Sequence, residues 1–174
     1  FSEEQRRSTR SLWISMILET DMANHMSGVW SLERSLLSCS TNGNVCDCNN
    51  TFDAFSSKNY VSTLSLLLHA CDLSNPTKPW ETYNRWTGLV MEEFFNQSAL
   101  EKELNIPITL PLRETCQLDQ FQIGFIRFIR PFFKNLNDIP NVSMELHLLN
   151  LKNNEKKWQL SRKTSKDNEE VKMN

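Results

Sequence analysis

The spacing of apolar residues between Leu118 and Leu136 constrains the fold most strongly, because it follows one face of a helix. The residues are Leu118, Phe121, Phe125, Phe128, Ile129, Phe132 and Leu136. A period of about 3.6 residues is typical of a helix with one face in a core. Similar spacing covers most of the chain, which has only four glycines. The sequence therefore predicts an all-α fold.

A second helical pattern ends at an acidic residue. Apolar residues at helical spacing precede Asp72: Val61, Leu64, Leu67, Leu68 and Cys71. A carboxylate at the buried end of such a helix is costly to desolvate, so we expect Asp72 to be capped, paired or bound to a cation. Pro76 and Pro79 then favour a turn and a new helix. This helix carries a stripe formed by Trp80, Tyr83, Thr87, Val90, Met91 and Phe94.

The first part of the chain allows two interpretations. Apolar residues follow a helix face within residues 2–37: Trp13, Ile14, Ile17, Leu18, Met22, Met26 and Val29. Thr20 and Asp21 could end one helix and cap the next, or Asp21 and His25 could pair within one long helix. A last helix is predicted from Val142 to Trp158. The charged segment 161–174 is predicted to be disordered.

Composition excludes several classes of protein. A formal net charge of -2 gives no reason to expect a nucleic acid partner. No apolar run reaches the length of about 18 residues that a membrane span needs. Five cysteines at irregular positions favour a reducing, intracellular and cytoplasmic compartment. Cys46 and Cys48 lie in a polar insertion loop, residues 39–57, and lack the second ligand pair of a zinc site.

Three segments of the sequence carry a resemblance to a known family. They are ILETDMANHM, then LLHACDLSNPTKPWETYNRW with MEEFF, and finally FQIGFIRFI. In this order they resemble the catalytic domain of class I 3',5'-cyclic-nucleotide phosphodiesterases, over roughly Trp13 to Phe133. The resemblance implies that residues 1–160 form the C-terminal part, the later half, of such a domain. The chain begins without Met, so we expect it to be a fragment.

The resemblance implies a chemistry. Members of the family hydrolyse cAMP, cGMP or both to the 5' monophosphate in signalling, with two divalent metal ions, zinc and magnesium or manganese. Asp72 matches the family's last metal-binding aspartate. The family's His-Asn-x-x-His and His-Asp segments have no counterpart here, so no catalytic residue is assigned and residues 1–174 alone are expected to be inactive. His25, His69 and His147 are not assigned to metal.

The resemblance also implies a purine pocket. Gln122 matches the glutamine that reads the base, and Phe125 matches the aromatic residue that stacks on it. The remaining pocket residues would be Met22, Leu73, Asn75, Tyr83, Thr87, Val90 and Met91. Each of these residues also has a core or turn explanation. Because an amide can donate or accept, Gln122 alone does not decide between cAMP and cGMP.

The sequence departs from the family at several positions, and a rival function stays open. Ser98 and Ala99 replace a usual Gly-Asp pair, and Arg127 stands where an aspartate is common. The rival is a truncated phosphodiesterase-like domain that binds a nucleotide or a partner protein without catalysis. The resemblance leaves a homodimer open, as well as membrane attachment through a region outside this chain.

Overall fold

The computed structural model describes residues 1–40, 56 and 59–173, and these residues form helices and no strands. The predicted all-α fold is therefore confirmed for this part of the chain. The predicted insertion loop lies almost entirely outside the described residues, as do Cys46 and Cys48. Two short 3-10 helices, Met22–Asn24 and Asn75–Thr77, accompany six α-helices: α1 Glu3–Leu18, α2 His25–Ser40, α3 Tyr60–Asp72, α4 Trp80–Glu103, α5 Leu118–Asn137 and α6 Glu145–Met173.

The first helical stretch is interrupted, as one of the two interpretations predicts. Ser2 caps α1 in a reciprocal pair of hydrogen bonds with Gln5. The helix ends at Leu18, and the Asp21 carboxylate accepts from the Ala23 N–H at 2.9 Å. Asp21 therefore caps the 3-10 helix that precedes α2.

Contacts divide the chain into two compact units, and unit 1 contains residues 1–74 and 131–145. Helix α1 packs against α3 in this unit. Helices α2 and α3 approach closely, since a Cβ on Gly28 would lie 3.3 Å from Leu66 Cδ2. The buried apolar residues of the unit come from α2, α3, α5 and the segment after α5: Val29, Leu32, Ala70, Leu73, Phe132, Phe133, Leu136 and Ile139.

The structure corrects the predicted environment of α3. Cys71 and Asp72, predicted on a core face and at its buried end, are both exposed. The residues that α3 buries are instead Thr63, Ser65, His69 and Ala70. The leucines of the predicted face are only half-buried. The polar side of α3 faces the core because His69 packs there against Phe132 and His25.

Unit 2 contains residues 75–130 and 146–174. The stripe predicted on α4 is confirmed, with Tyr83, Thr87 and Met91 buried. Asn105 ends α4 in the left-handed region at φ 54°, a conformation that asparagine tolerates better than most residues. The helices of the described residues include none that is both long and apolar enough to cross a membrane.

Helices α5 and α6 differ from the predicted pattern. The buried face of α5 includes Ile123, Ile126 and Phe133, whereas Leu118 and Phe128 of the predicted stripe are exposed. Helix α6 begins at Glu145 and continues to Met173. It therefore passes the predicted end at Trp158.

Candidate functional site

Three buried polar side chains from α4, α5 and α6 form a continuous network in unit 2. The Tyr83 hydroxyl donates to Gln122 Oε1 at 2.8 Å. The indole Nε1 of Trp158 donates to the same hydroxyl at 3.0 Å. Tyr83 occupies one of the two lone pairs of the Gln122 oxygen, and the amide can still offer its Nε2 donor to a ligand.

Burial dominates the chemistry of Tyr83. The side chain is fully buried, and its ring packs edge-on against Trp80 and Trp158. Burial raises the pKa of Tyr83 to about 12, against smaller lowering effects of hydrogen bonds with Trp158 and Thr87. The phenol therefore stays protonated at neutral pH and donates to Gln122.

The other predicted pocket residues of unit 2 lie on α4 and α5, within a few helical turns of Tyr83 or Gln122. Thr87 and Met91 follow Tyr83 at helical spacing on α4 and are buried, and Val90 is half-buried. Phe125 lies one turn after Gln122 on α5 and is half-buried. A partly accessible ring one turn from a buried amide could stack on a planar base while the amide contacts the edge of that base.

Asn75 opens the 3-10 helix that follows α3. Its side-chain oxygen is buried without a hydrogen-bond partner, which is unusual for a polar atom and marks a position where a ligand donor could bind. Side chains of α6 hold the surrounding backbone. Asn150 donates to the Thr77 carbonyl at 2.8 Å, and Asn154 donates to two further carbonyls of the turn.

Asn154 and Trp158 are site-supporting residues that the sequence reasoning does not identify. Asn154 Nδ2 donates to the carbonyls of Pro76 and Lys78, both at 2.8 Å. Asn150, Asn154 and Trp158 recur at every fourth residue, so they share one face of α6. This polar row beside a tryptophan is the signal that could identify the face.

Asp72, Leu73 and Met22 belong to unit 1. Asp72 ends α3 with an exposed carboxylate, Leu73 is buried, and Met22 is exposed in the first 3-10 helix. In the described part of the chain, no three His, Cys, Asp or Glu side chains are grouped so that they could hold a metal ion. An exposed carboxylate fits the role of one metal ligand, and the described residues do not complete a metal centre around it.

Two histidines form a buried pair in unit 1. His25 Nδ1 and His69 Nε2 lie 2.9 Å apart, and both rings contact Phe132. Burial lowers the pKa of His69, while Asp72 and the Thr20 backbone act in the opposite direction. A hydrogen bond between the two rings needs one donor and one acceptor nitrogen, so both rings cannot be fully protonated in this geometry.

Comparisons with known proteins identify the family of the chain. The model of the 3'5'-cyclic nucleotide phosphodiesterase family matches residues 1–151. The chain belongs to this family. Over 139 residues it is 39% identical to the dual specificity calcium/calmodulin-dependent 3',5'-cyclic nucleotide phosphodiesterase 1B of Bos taurus, a match that covers 78% of the chain and 23% of the relative.

Further matches come from other organisms. A probable 3',5'-cyclic-AMP phosphodiesterase of Caenorhabditis elegans is 34% identical over 164 residues, which cover 92% of the chain and 23% of the relative. The solved phosphodiesterase domain of the Salpingoeca rosetta rhodopsin phosphodiesterase superposes with a TM-score of 0.79 at 28% identity, covering 98% of the chain and 50% of that domain. The chain thus spans about a quarter of the length of these curated relatives.

Arg127, a departure from the usual phosphodiesterase sequence, has a structural partner. Arg127 forms an ion pair with Glu155 at 2.6 Å, and Arg130 binds the other carboxylate oxygen. Burial alone would raise the pKa of Glu155, but hydrogen bonds from Arg130 and Arg127 outweigh burial and lower it. The arginines therefore connect α5 to α6 one turn before Trp158.

Ser98, which replaces the usual glycine of the phosphodiesterases, makes hydrogen bonds that a glycine could not make. Ser98 is fully buried, and its hydroxyl lies 2.6 Å from the Phe94 carbonyl and 2.8 Å from the Pro111 carbonyl. Glu101, one turn later, accepts from the Thr109 N–H at 2.8 Å and from its hydroxyl at 2.7 Å. These contacts fix the segment between α4 and α5 to the end of α4.

Proposed function

We propose that the chain supplies the purine pocket and one metal-binding carboxylate of a cyclic-nucleotide phosphodiesterase that converts cAMP, cGMP or both to the 5' monophosphate. The observation that carries the proposal is the buried Gln122 amide, held in one orientation by Tyr83. A buried amide with one fixed end is suited to reading the hydrogen-bonding edge of a base. The names of the relatives support the reaction.

The residues of unit 2 have different roles in binding the nucleotide. Gln122 offers its Nε2 donor to an acceptor on the base edge, and Phe125 stacks on the base face. Thr87, Val90 and Met91 supply walls that exclude water. Tyr83 and Trp158 position the amide without needing to touch the nucleotide. The orphaned Asn75 oxygen accepts a donor of the ligand.

Asp72 would be one ligand of the metal ions that the family requires. Divalent ions, when bound, stabilise charge on the phosphate and lower the pKa of a bound water. Asp72 carries its carboxylate at the exposed end of α3, where a cation can approach it. Histidine ligands would come from residues outside this chain.

A chimera provides the test. Residues 1–151 of this chain would replace the matched segment of the bovine relative, and hydrolysis of cAMP and cGMP would be measured. Gln122→Ala should raise KM for both nucleotides about two- to tenfold, because a neutral hydrogen bond contributes about 0.5 to 1.5 kcal/mol. Gln120→Ala is the matched control, since Gln120 is an exposed glutamine on the same helix. Equal kinetics for the two variants would remove Gln122 from the pocket.

A second candidate function is nucleotide binding without hydrolysis. It is favoured by one observation, the lack of a three-ligand metal group in the described residues. Isothermal titration of the chain alone with both nucleotides separates the two functions. Binding by the chain together with an inactive chimera would support the second candidate, whereas an active chimera supports the first.

A further inference from the structure

A cleft in unit 2 lies between the start of α4 and the first half of α6. Its volume is about 340 Å³, and Trp80 and Glu81 of α4 form part of one wall. The other wall belongs to α6 and includes Asn153, Lys156 and Lys157. We call this cavity the α4–α6 cleft. None of the residues proposed for the purine pocket lines it, so the proposed function leaves the cleft unexplained.

Two ammonium groups of the cleft lack an acidic partner. The ion pairs found in the described part of the chain do not involve Lys156 or Lys157. Lys157 Nζ lies instead 5.0 Å from the ring centroid of Trp80, which is a cation–π contact. The Trp80 ring in turn packs edge-on against Tyr83 and Trp158. This aromatic cluster therefore holds one ammonium group at the wall of the cleft.

Asparagines distinguish the cleft from an ordinary lysine-rich surface. Exposed lysines are common and by themselves indicate no site. Asn150 and Asn154 also line the cleft, and their amide nitrogens donate to carbonyls of the turn before α4. These bonds fix both amides and leave their oxygens as acceptors. Asn153 is exposed between them, and its amide can both donate to a ligand and accept from it.

We propose that the α4–α6 cleft binds a hydroxylated phosphate monoester, either a free sugar phosphate or the phosphorylated sugar headgroup of a lipid. A phosphate monoester carries a charge of about -1.5 to -2 at neutral pH, which two lysines can balance as point charges. The asparagine amides would bond the hydroxyls of the ligand. Lys157 occupies one face of the Trp80 ring, which favours a ligand without a base to stack there.

Titration calorimetry of residues 1–174 tests the proposal with glucose 6-phosphate as the probe. The wild-type chain should bind this probe and should not bind glucose. The double variant Lys156→Gln, Lys157→Gln should weaken binding of glucose 6-phosphate about tenfold or more, because the phosphate loses both charged partners. Lys152→Gln is the matched control, since Lys152 is an exposed lysine of α6 outside the cleft. It should leave the affinity nearly unchanged.

Two single variants separate a built site from a basic surface. Glu81→Gln should strengthen binding of glucose 6-phosphate, because it removes a carboxylate that repels the phosphate at the cleft wall. Asn153→Leu should weaken binding of glucose 6-phosphate about two- to tenfold, the range for one neutral hydrogen bond. The same variant should leave the affinity for inorganic phosphate unchanged, since that probe has no sugar hydroxyl.

Vesicles distinguish the two sources of the ligand. Phosphatidylcholine vesicles, with and without added phosphatidylinositol 4-phosphate, would be sedimented with the wild-type chain and with the double lysine variant. Sedimentation of the wild type alone, and only with the phosphorylated lipid, would assign the cleft to a lipid headgroup. Binding of glucose 6-phosphate without sedimentation would assign it to a free sugar phosphate.

Several results would overturn the proposal. Equal losses of affinity in Lys152→Gln and the double lysine variant would show a general charge effect rather than a site. Failure of the folded wild-type chain to bind either glucose 6-phosphate or the phosphorylated lipid would also overturn it. Far-UV circular dichroism checks the fold of each variant, and Glu81→Gln keeps the test decisive because it predicts a gain of affinity. Hydrolysis is not measured, so the outcome is independent of the proposed function.

Discussion

Replacing Tyr83 with Phe should uncouple the network that orients Gln122. Phenylalanine keeps the ring and removes only the hydroxyl, which bonds Gln122 at 2.8 Å and Trp158 at 3.0 Å. Both partners would remain in place, and they are only 6% and 7% exposed. A buried polar group that loses its partner costs about 1 to 3 kcal/mol. With two such groups, the free energy of unfolding should fall by about 2 to 6 kcal/mol.

The pKa of Tyr83 predicts that the free energy of unfolding depends on pH in the alkaline range. Burial raises the pKa of Tyr83 to about 12, compared with about 10 for tyrosine in an unfolded chain. Between these values the unfolded state releases the phenol proton and the folded state keeps it, so stability falls as pH rises. The loss over about two pH units amounts to about 3 kcal/mol. Tyr83→Phe should not show this loss.

The assay uses the fact that the chain has only two tyrosines. In a Tyr60→Phe background, the ultraviolet absorbance of the phenolate reports Tyr83 alone, and Tyr60 itself is a more exposed residue in the first turn of α3. Urea unfolding from neutral to alkaline pH would compare the free energy of unfolding of Tyr60→Phe with that of the double variant that also carries Tyr83→Phe. The reasoning would be refuted if phenolate formed around pH 10 in the folded single variant, or if both variants lost stability in parallel.

Four other predictions concern different parts of the chain. In the chimera, Asp72→Asn should lower kcat by orders of magnitude while far-UV circular dichroism stays the same, since the proposed role of this exposed carboxylate is to bind a metal ion; normal turnover would contradict this role. Phe125→Ala should weaken nucleotide binding, measured by titration calorimetry on the chimera, by about 1 to 3 kcal/mol, the range for aromatic stacking on a base. Glu155→Gln should lower the free energy of unfolding by only about 1 kcal/mol at neutral pH, because the arginine partners of Glu155 are partly exposed. Folding lowers the pKa of Glu155, so this stabilisation exists above the unfolded pKa of about 4.3 and disappears as pH falls. Urea unfolding in acid should therefore give the same stability for the variant and the wild type. Glu101→Gln should speed proteolysis between residues 104 and 117, because Thr109 loses a charged acceptor; equal cleavage rates would show that Glu101 does not anchor the segment.

Local periodicity predicts the burial of α4 and α5 only in part. On α4, Tyr83 and Met91 are buried as expected, but Trp86 and Leu89 are more than half exposed. On α5, the apolar residues follow one face of the helix, but periodicity does not say which of them neighbouring helices cover. The structure buries Ile126 and exposes Phe128. The choice depends on which neighbouring helices cover α5, and that information is not local.

In the candidate site, too, the sequence predicts some residues and misses others. Gln122 is predicted from a motif, and the structure shows that its amide is buried and bonded to Tyr83. Trp158 is absent from the predicted site because its partner Tyr83 lies 75 residues earlier. Asp72 illustrates an error of physical reasoning, since the expected desolvation assumes that the apolar residues before it are fully covered. They are half-buried, and the carboxylate remains in contact with solvent.

The two hydrogen bonds of Asn154 require an amide at this position. One amide nitrogen donates to the carbonyls of Pro76 and Lys78. An aspartate would replace that nitrogen with a carboxylate oxygen, which can only accept when ionised. A negative charge would then face two carbonyl oxygens in a buried place, and the turn that carries Asn75 would lose its attachment to α6. A change of about one mass unit at residue 154 would thus loosen the turn before any loss of helix.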